Sequence, residues 1–351
     1  MARSRAAPSA SDATSYDPVH DPGTIAARAR AERIGPALQP TRIVTPAAEI
    51  RFGTASWTDP TMTAPGVFYP DDARTPEARL RHYASVFPVV EVDATYYALP
   101  KPETAALWVE RTPDDFVFDV KAHALMTGHP TETARLPREI REALPAAVRD
   151  AKRVYPKDLP PELLDAVWRT FLGALAPLRE AGKLGAVLMQ YPPWFVPSRA
   201  SAAELERVPE RLGDVRGAVE FRHPLWLSER LAERTGTLLT RLGLVYVIVD
   251  EPQGTRQSVP PTTLITHPRL AVVRLHGRRQ DTWTKRGAAV QERFRYLYSP
   301  EELSGWAPTV AAVAGAVQRV HVVFNNCYGN YGTTNALEMA KLVGQAVTAS
   351  R

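Results

Sequence analysis

From Ile50 onward, short β-prone runs alternate with longer stretches of helical periodicity. The strand-like runs are IRFGTAS (50–56), VVEVDAT (89–95), FVFDVKA (116–122), GAVLMQY (185–191), GAVEFRH (217–223), VYVIVDE (245–251), LAVVRLHG (270–277) and VHVVFNN (320–326). The helical stretches between them include Thr75–Phe87, Glu103–Arg111, Pro161–Glu180, Leu225–Leu242, Pro300–Val317 and Thr334–Val347. Strands separated by helix-sized crossovers pair in parallel, because a tight turn cannot reach a parallel neighbour. Eight such units predict a closed (β/α)8 TIM barrel over residues 49–351. The connections at 122–183 and 277–299 are longer than a crossover needs, and loops of that size usually carry function or lack order.

Alternation within each run assigns the faces, since successive strand side chains point to opposite sides. Phe116, Phe118 and Val120 oppose Val117, Asp119 and Lys121; Val219 and Phe221 oppose Ala218, Glu220 and Arg222. Val273 and Leu275 oppose Val272, Arg274 and His276, and Val90 and Val92 oppose Glu91 and Asp93. The layer under the helices must be apolar, so the polar parity faces the barrel axis. Gln190, Asp250 and Asn325 close the fourth, sixth and eighth strands. Nearly all these groups sit in the last half of a strand, the end at which barrels of this kind carry their active sites. A buried ion-pair network that only fixes strand register is the competing reading.

Composition narrows the setting. Residues 1–48 are rich in Ala, Pro, Ser and Arg with few large apolar groups, which predicts a flexible arm with one short docking helix near Thr24–Ile34. The net charge of +5 permits an anionic partner without requiring one. One cysteine, Cys327, excludes an internal disulfide; with no membrane-length apolar run and no secretory leader, a cytoplasmic protein is expected.

Several motifs suggest chemistry. Lys121 closes the third strand as an anion holder, or as a base if burial depresses its pKa. Glu220 and Arg222 share a face, and His223 starts the next loop. Arg274, His276, Gly277, Arg278 and Arg279 gather planar donors around a glycine, in the loop region where barrels often hold phosphate. Asn335 and Glu338 have capping-box spacing, which would leave helix N–H groups facing an anion. Glu220, Asp250 and His276 are the alternative, a divalent-metal site, although Lys121, Arg222 and Arg274 would repel the cation. Trp57, Tyr96, Tyr97, Tyr191, Trp194, Trp226 and Trp283 follow or end strands, as stacking faces or as packing over the mouth. Cys327, just past the eighth strand, reads as a small buried residue before a nucleophile.

The phrases GTASW (53–57), VEVDATYYALP (90–100), FVFDVKAHALMTGHP (116–130), GAVLMQYPPWF (185–195), AVEFRHPLW (218–226), VVRLHGR (272–278) and VVFNN (322–326) followed by NA (335–336) resemble the YecE-like proteins. These are domain-of-unknown-function family seventy-two, a TIM-barrel family. The resemblance runs in order from about residue 50 to 347. It implies the barrel and supplies no established reaction. The matching positions are Trp57, Glu91, Tyr96, Lys121, Thr127, His129, Gln190, Glu220, Arg222, His223, Trp226, Arg274, His276, Gly277, Asn325, Asn326 and Asn335. Gly128, between Thr127 and His129, departs from the family pattern, and residues 1–48 and parts of 135–165 lack a counterpart in it.

The expectation is an enzyme acting on a small anion such as a phosphate ester, sugar acid or nucleotide fragment, with no resident cofactor. Glu220, His276 and Lys121 are the catalytic candidates. Arg222, Arg274, Gln190, Asn325, Asn326, Tyr96, Trp57 and His129 are the substrate-binding candidates. Two alternatives stand beside it: a nucleic-acid-binding module using the N-terminal arm, segment 277–295 and exposed aromatics, which neutralising Arg278, Arg279, Lys285 and Arg286 would disable, and a metal-dependent isomerase or phosphodiesterase.

Overall fold

The computed structural model describes residues 17–35, 41–283, 285 and 290–349. Eight parallel strands close on themselves: β1 (Glu49–Thr54), β2 (Val89–Val92), β3 (Val117–Lys121), β4 (Leu184–Gln190), β5 (Gly217–Glu220), β6 (Val245–Asp250), β7 (Ala271–Leu275) and β8 (Arg319–Phe324). Each pairs with its chain neighbour, and β8 pairs with β1. All eight expected strands are present. The outward parity is apolar as anticipated: Phe116, Phe118 and Val120 are buried in the layer beneath the helices. Among the described residues, no helix is long and apolar enough to cross a membrane.

The helices start where local chemistry permits. Pro76, Pro102, Pro161 and Pro300 occupy first-turn positions, where a missing N–H costs nothing. Thr75 caps Pro76–Val86, and Ser299 forms a reciprocal capping box with Glu302 ahead of Pro300–Ala314. The expected stretch Leu225–Leu242 divides into a 3-10 turn (Pro224–Leu227) and a helix (Ala232–Arg241). Helix Arg199–Leu212 escaped the sequence reading because Pro209 interrupts its pattern; Ser198 caps its start. The β6–β7 crossover, residues 251–270, is irregular, pinned by Thr266, which accepts from Tyr246 N and donates to Leu244 O. The long 122–183 connection is folded, with a two-residue ladder pairing Thr131–Glu132 with Arg153–Val154 beside short helices at Arg138–Glu142 and Ala146–Arg149.

Part of the expected arm is also folded. Helix Pro22–Glu32, capped by Asp21, packs against the last helix (Tyr331–Ala349), where Arg30 grips both oxygens of Glu338 at 2.7 and 2.5 Å. Residues Arg42–Val44 add an antiparallel edge to β1, so the ordered body begins ahead of residue 49. Residues 1–16 and 36–40 of that arm lie outside the described residues.

Near the amino ends the barrel closes tightly. The β3–β4 register slips between Phe118 and Asp119, which brings Gly185 against the axis. A Cβ there would stand 2.3 Å from Asp119 Oδ1 and 2.6 Å from Val117 Cγ1. Gly185→Ala is therefore expected to lower stability by about 1–3 kcal/mol through overpacking. An unchanged urea midpoint would show that this contact is not tight.

Candidate functional site

Inside the barrel the polar residues form tiers. Asp119 faces the axis as expected but lies in the lower one, and its Oδ2 lies 2.8 Å from His321 Nδ1. His321 stands opposite Val272, one inward step nearer the amino ends than Arg274.

The middle tier is built on Arg274. Its guanidinium is 1% exposed and forks onto Glu91, with Nε donating to Oε2 and Nη2 to Oε1, both at 2.7 Å; Nη1 donates to Glu220 Oε2. Glu220 also accepts from Gln190 Nε2 at 2.6 Å and Arg222 Nη1 at 3.2 Å. His276 Nε2 lies 3.2 Å from Glu220 Oε1, near enough for attraction but out of hydrogen-bond alignment. Asn325 Nδ2 donates to His276 Nδ1 at 2.8 Å, which leaves the neutral ring's proton on Nε2, facing Glu220.

These contacts set the charges. Burial works to raise the Glu220 carboxyl, but Arg274, His276 and Arg222 hold it well below the usual carboxylate range. Burial lifts Glu91 upward against the pull of Arg274 and Lys121. Burial also drives His276 down to about 3, so the ring is neutral at pH 7. The expected Glu220–His276 pair does meet. Both side chains are sealed from solvent, however, and Glu220 is committed to its role as acceptor. Trp283 and Phe294 stand over the imidazole, at 5.9 and 6.4 Å between ring centres.

Partly exposed groups form the upper tier: Asp93, Lys121, Gln190, Arg222 and Asn325. Arg222 bridges Glu220 to Glu251 Oε2 (3.0 Å), and its guanidinium lies 4.6 Å from the centre of the Trp283 ring. Lys121 Nζ rests 4.6 Å from the centre of Tyr96 and makes no ion pair or hydrogen bond among the described residues. Burial and neighbouring Arg274 lower its pKa, against Glu91, Glu220 and Asp93. Tyr96 in turn forms part of the wall of a cavity of about 340 Å³, lined also by Tyr97, His129, Trp194, Glu132, Arg135 and Arg153 among others. His129 packs edge-on against Tyr96 and Trp194, bonds Thr127 Oγ1 at 3.0 Å, and is held neutral, down to about 3, chiefly by burial.

Other expected contributors lie elsewhere. Trp57 is buried edge-on against Trp108 and Phe118, in the layer outside the barrel. Asn326 is sealed, and its amide donates to Tyr296 O and to Asn335 Oδ1 (2.8 and 2.9 Å), tying the loops after β7 and β8. Asp250 pairs in register with Leu275 rather than Arg274 and so faces away from the axis. There it accepts from Arg278 and from Tyr298 Oη at 2.6 Å. That separates the proposed metal trio of Glu220, Asp250 and His276; among the described residues, no three His, Cys, Asp or Glu side chains gather where a metal ion fits.

The anion cradle expected after β7 is filled by protein groups. Gly277, at φ +86°, sits where a Cβ would meet Tyr296 Cβ at 2.7 Å, and its N–H donates to Tyr298 Oη. Arg278 is held by Asp250 and Glu302, and Arg279 by Asp281 and Glu292, so neither is a loose loop charge. Within the basic segment 277–295, residues 284 and 286–289, Arg286 among them, lie outside the described residues; Lys285 is exposed. The last helix starts at Tyr331, four residues before Asn335, whose amide bonds Glu338 and Tyr298 instead of capping. Burial, with Asp59, Asp93 and Glu91, raises the Cys327 thiol well above its usual value and keeps it protonated.

Glu251 and His321 belong to these tiers and were missed; Trp283, expected only as a stacking or packing aromatic, covers His276 and Arg222. Glu251 had a signal: counting by twos from inward Val249 reaches it and skips Asp250.

The sequence profile described as "Protein of unknown function DUF72" matches residues 51–351. UPF0759 protein YunF of Bacillus subtilis is 31% identical over 270 residues, covering 76% of this chain and 87% of that protein. UPF0759 protein YecE of Escherichia coli K12 is 29% identical over 204 residues, 57% of this chain and 59% of the relative. Crystal structures of DUF72 family proteins superpose well. One from Thermotoga maritima gives a TM-score of 0.66 at 29% identity, covering 84% of this chain and 98% of that one. One from Enterococcus faecalis gives 0.64 at 27%, covering 84% and 97%. The solved structures share the fold, and the profile and relatives agree that the chain belongs to the DUF72 family, whose function is unknown.

Proposed function

We propose that the chain is an enzyme for a small anionic molecule (a phosphate ester, sugar acid or nucleotide fragment) bound at the carboxyl-terminal mouth of the barrel. One observation carries this reading: Lys121, a partly exposed cation with no carboxylate at ion-pair distance among the described residues, rests on Tyr96, which walls an aromatic cavity. The barrel's arginines are poor anion holders because carboxylates already occupy their forks. Arg153 on the cavity wall is, like Lys121, outside every ion pair among the described residues. Tyr96, His129 and Trp194 offer apolar faces for the rest of the ligand.

The division of labour differs from the first expectation. Glu220 stays ionised and His276 neutral, so they fix Gln190, Arg222 and Asn325 in place. The amine of Lys121 exchanges the proton, as a lysine with a depressed pKa can near neutral pH.

A thermal-shift panel of phosphate esters, sugar acids and nucleoside monophosphates tests this. At least one should raise the melting temperature of the native chain. Lys121→Met should weaken that ligand by about 10- to 100-fold, the worth of a charge-assisted contact. Ligand binding that ignores Lys121, or a panel that shifts nothing, would overturn the proposal.

A further inference from the structure

We infer that Lys121 is also the nucleophile of a covalent step, its Nζ condensing with the carbonyl carbon of an anionic aldehyde, ketone or 2-oxo acid to give an imine. The inference rests on the reading of the mouth as an anion-binding active site and adds the electrophile that site accepts.

The contrast between two lysines carries it. The chain has seven lysines. Lys183 shows how a buried ammonium is normally accommodated: its Nζ donates to Val109 O and Thr112 O at 2.8 Å each and to Thr112 Oγ1 at 3.2 Å. Among the described residues, Lys121 Nζ has no such acceptors. The carboxylates one tier below are turned elsewhere, Glu91 onto Arg274 and Glu220 onto Arg274, Gln190 and Arg222. From the other elements it meets Asp93, the Tyr96 face, neutral His129 and the positive charge of Arg274. Three donors that find no acceptor among the described residues make the proton easier to lose, so the ammonium that meets the anion passes readily to the free amine, the form with a lone pair to give. The depressed pKa agrees with that geometry. A purely structural lysine would have found oxygens, as Lys183 does.

The step balances without a co-reactant. The Nζ lone pair forms a C–N bond to the carbonyl carbon while the carbonyl π pair moves to oxygen. A proton passes from nitrogen to that oxygen, and the carbinolamine loses water by C–O cleavage, leaving the C=N bond. No oxidant or reductant takes part. The anionic end of the same molecule goes to Arg153, on the cavity wall and outside every ion pair among the described residues; Arg135 is already engaged by Glu132.

The full-length chain is incubated separately with pyruvate, glyoxylate and dihydroxyacetone phosphate, and sodium borohydride is added to reduce any imine to a stable secondary amine. Intact mass and peptide mapping should then show one addition, on Lys121, at about tenfold or more the yield at any of the other six lysines. Lys121→Arg should abolish it. Mapping the native chain needs no variant, so misfolding of Lys121→Arg leaves the test intact. Adducts spread evenly over exposed lysines would overturn the inference. So would a Lys121-dependent thermal shift with nothing captured, and that outcome would leave the anion-binding proposal standing. Silence in both experiments would remove both.

Discussion

Replacing Arg274 with methionine is expected to lower the stability of the barrel by about 3–5 kcal/mol, the range for stripping one partner from a buried ion pair. The reason lies in what remains. Glu91 and Glu220 are each essentially sealed from solvent, and each takes its principal compensation from this one guanidinium. Arg222 and Lys121 are too displaced to serve both. The m-value should hold while the urea midpoint falls, since the folded state loses compensation rather than compactness. Adding Glu91→Gln to Arg274→Met should recover a large part of the loss, because one of the two orphaned charges is then gone. A loss below about 1 kcal/mol would mean that water reaches the two carboxylates, a situation in which charges cost little.

A network of this kind is a poor device for stability alone. Desolvating its charges costs several kcal/mol per ion, and apolar residues of the same volume often do as well. Its geometry makes sense as a platform. Arg274 anchors Glu220, Glu220 orients Gln190 and Arg222, and those two face the mouth beside Lys121. Two carboxylates on one guanidinium are also driven in opposite directions, Glu220 down and Glu91 up, a divergence that marks sites where acid–base roles are divided.

The barrel was legible because strand alternation is a strict constraint: the layer under the helices admits only apolar side chains, so eight runs declared their inward faces. Arg274, Glu220, Glu91, Lys121, His276 and Gln190 met as that rule required. It failed where counting stopped short or where loops decided the outcome. Asp250 was chosen at the end of β6, yet parity selects Glu251, and it is Glu251 that pairs with Arg222. Trp57 and Asn326 lie just beyond strand ends, where period two no longer holds and the chain turns outward. Arg278 and Arg279 looked like open anion donors because their partners, Glu302 and Glu292, come from sequence-distant parts of the loop and the next helix. The cavity at Tyr96, His129 and Trp194 depends on the folding of 122–183, where short elements leave no periodic trace.

Acid should expose the cost of keeping His276 neutral. Its folded value lies near 3, while the unfolded chain titrates near the ordinary 6.5. Between those limits the unfolded chain holds a proton that the folded chain refuses, so each step toward acid favours unfolding. The contribution is complete above about pH 6.5 and drains away below it, at about 1.4 kcal/mol per pH unit, flattening only near pH 3. Sealed His123, pushed down to about 4 by burial alone, acts in the same direction. Carboxylates lifted by burial, such as Glu91 and Asp93, oppose the trend as they take up protons in the folded state, so the native chain's total slope does not isolate the ring. The difference between the native chain and His276→Gln does. Glutamine keeps a neutral amide opposite Glu220 and has no proton to accept, so the variant should lose about 2.5 kcal/mol less than the native chain between pH 7.5 and 4.5. Parallel urea-midpoint curves for the two would mean that His276 accepts its proton in the folded barrel. The imidazole would then have to lie open to the mouth rather than sealed beneath Trp283 and Phe294, and Glu220 would regain its partner for proton exchange.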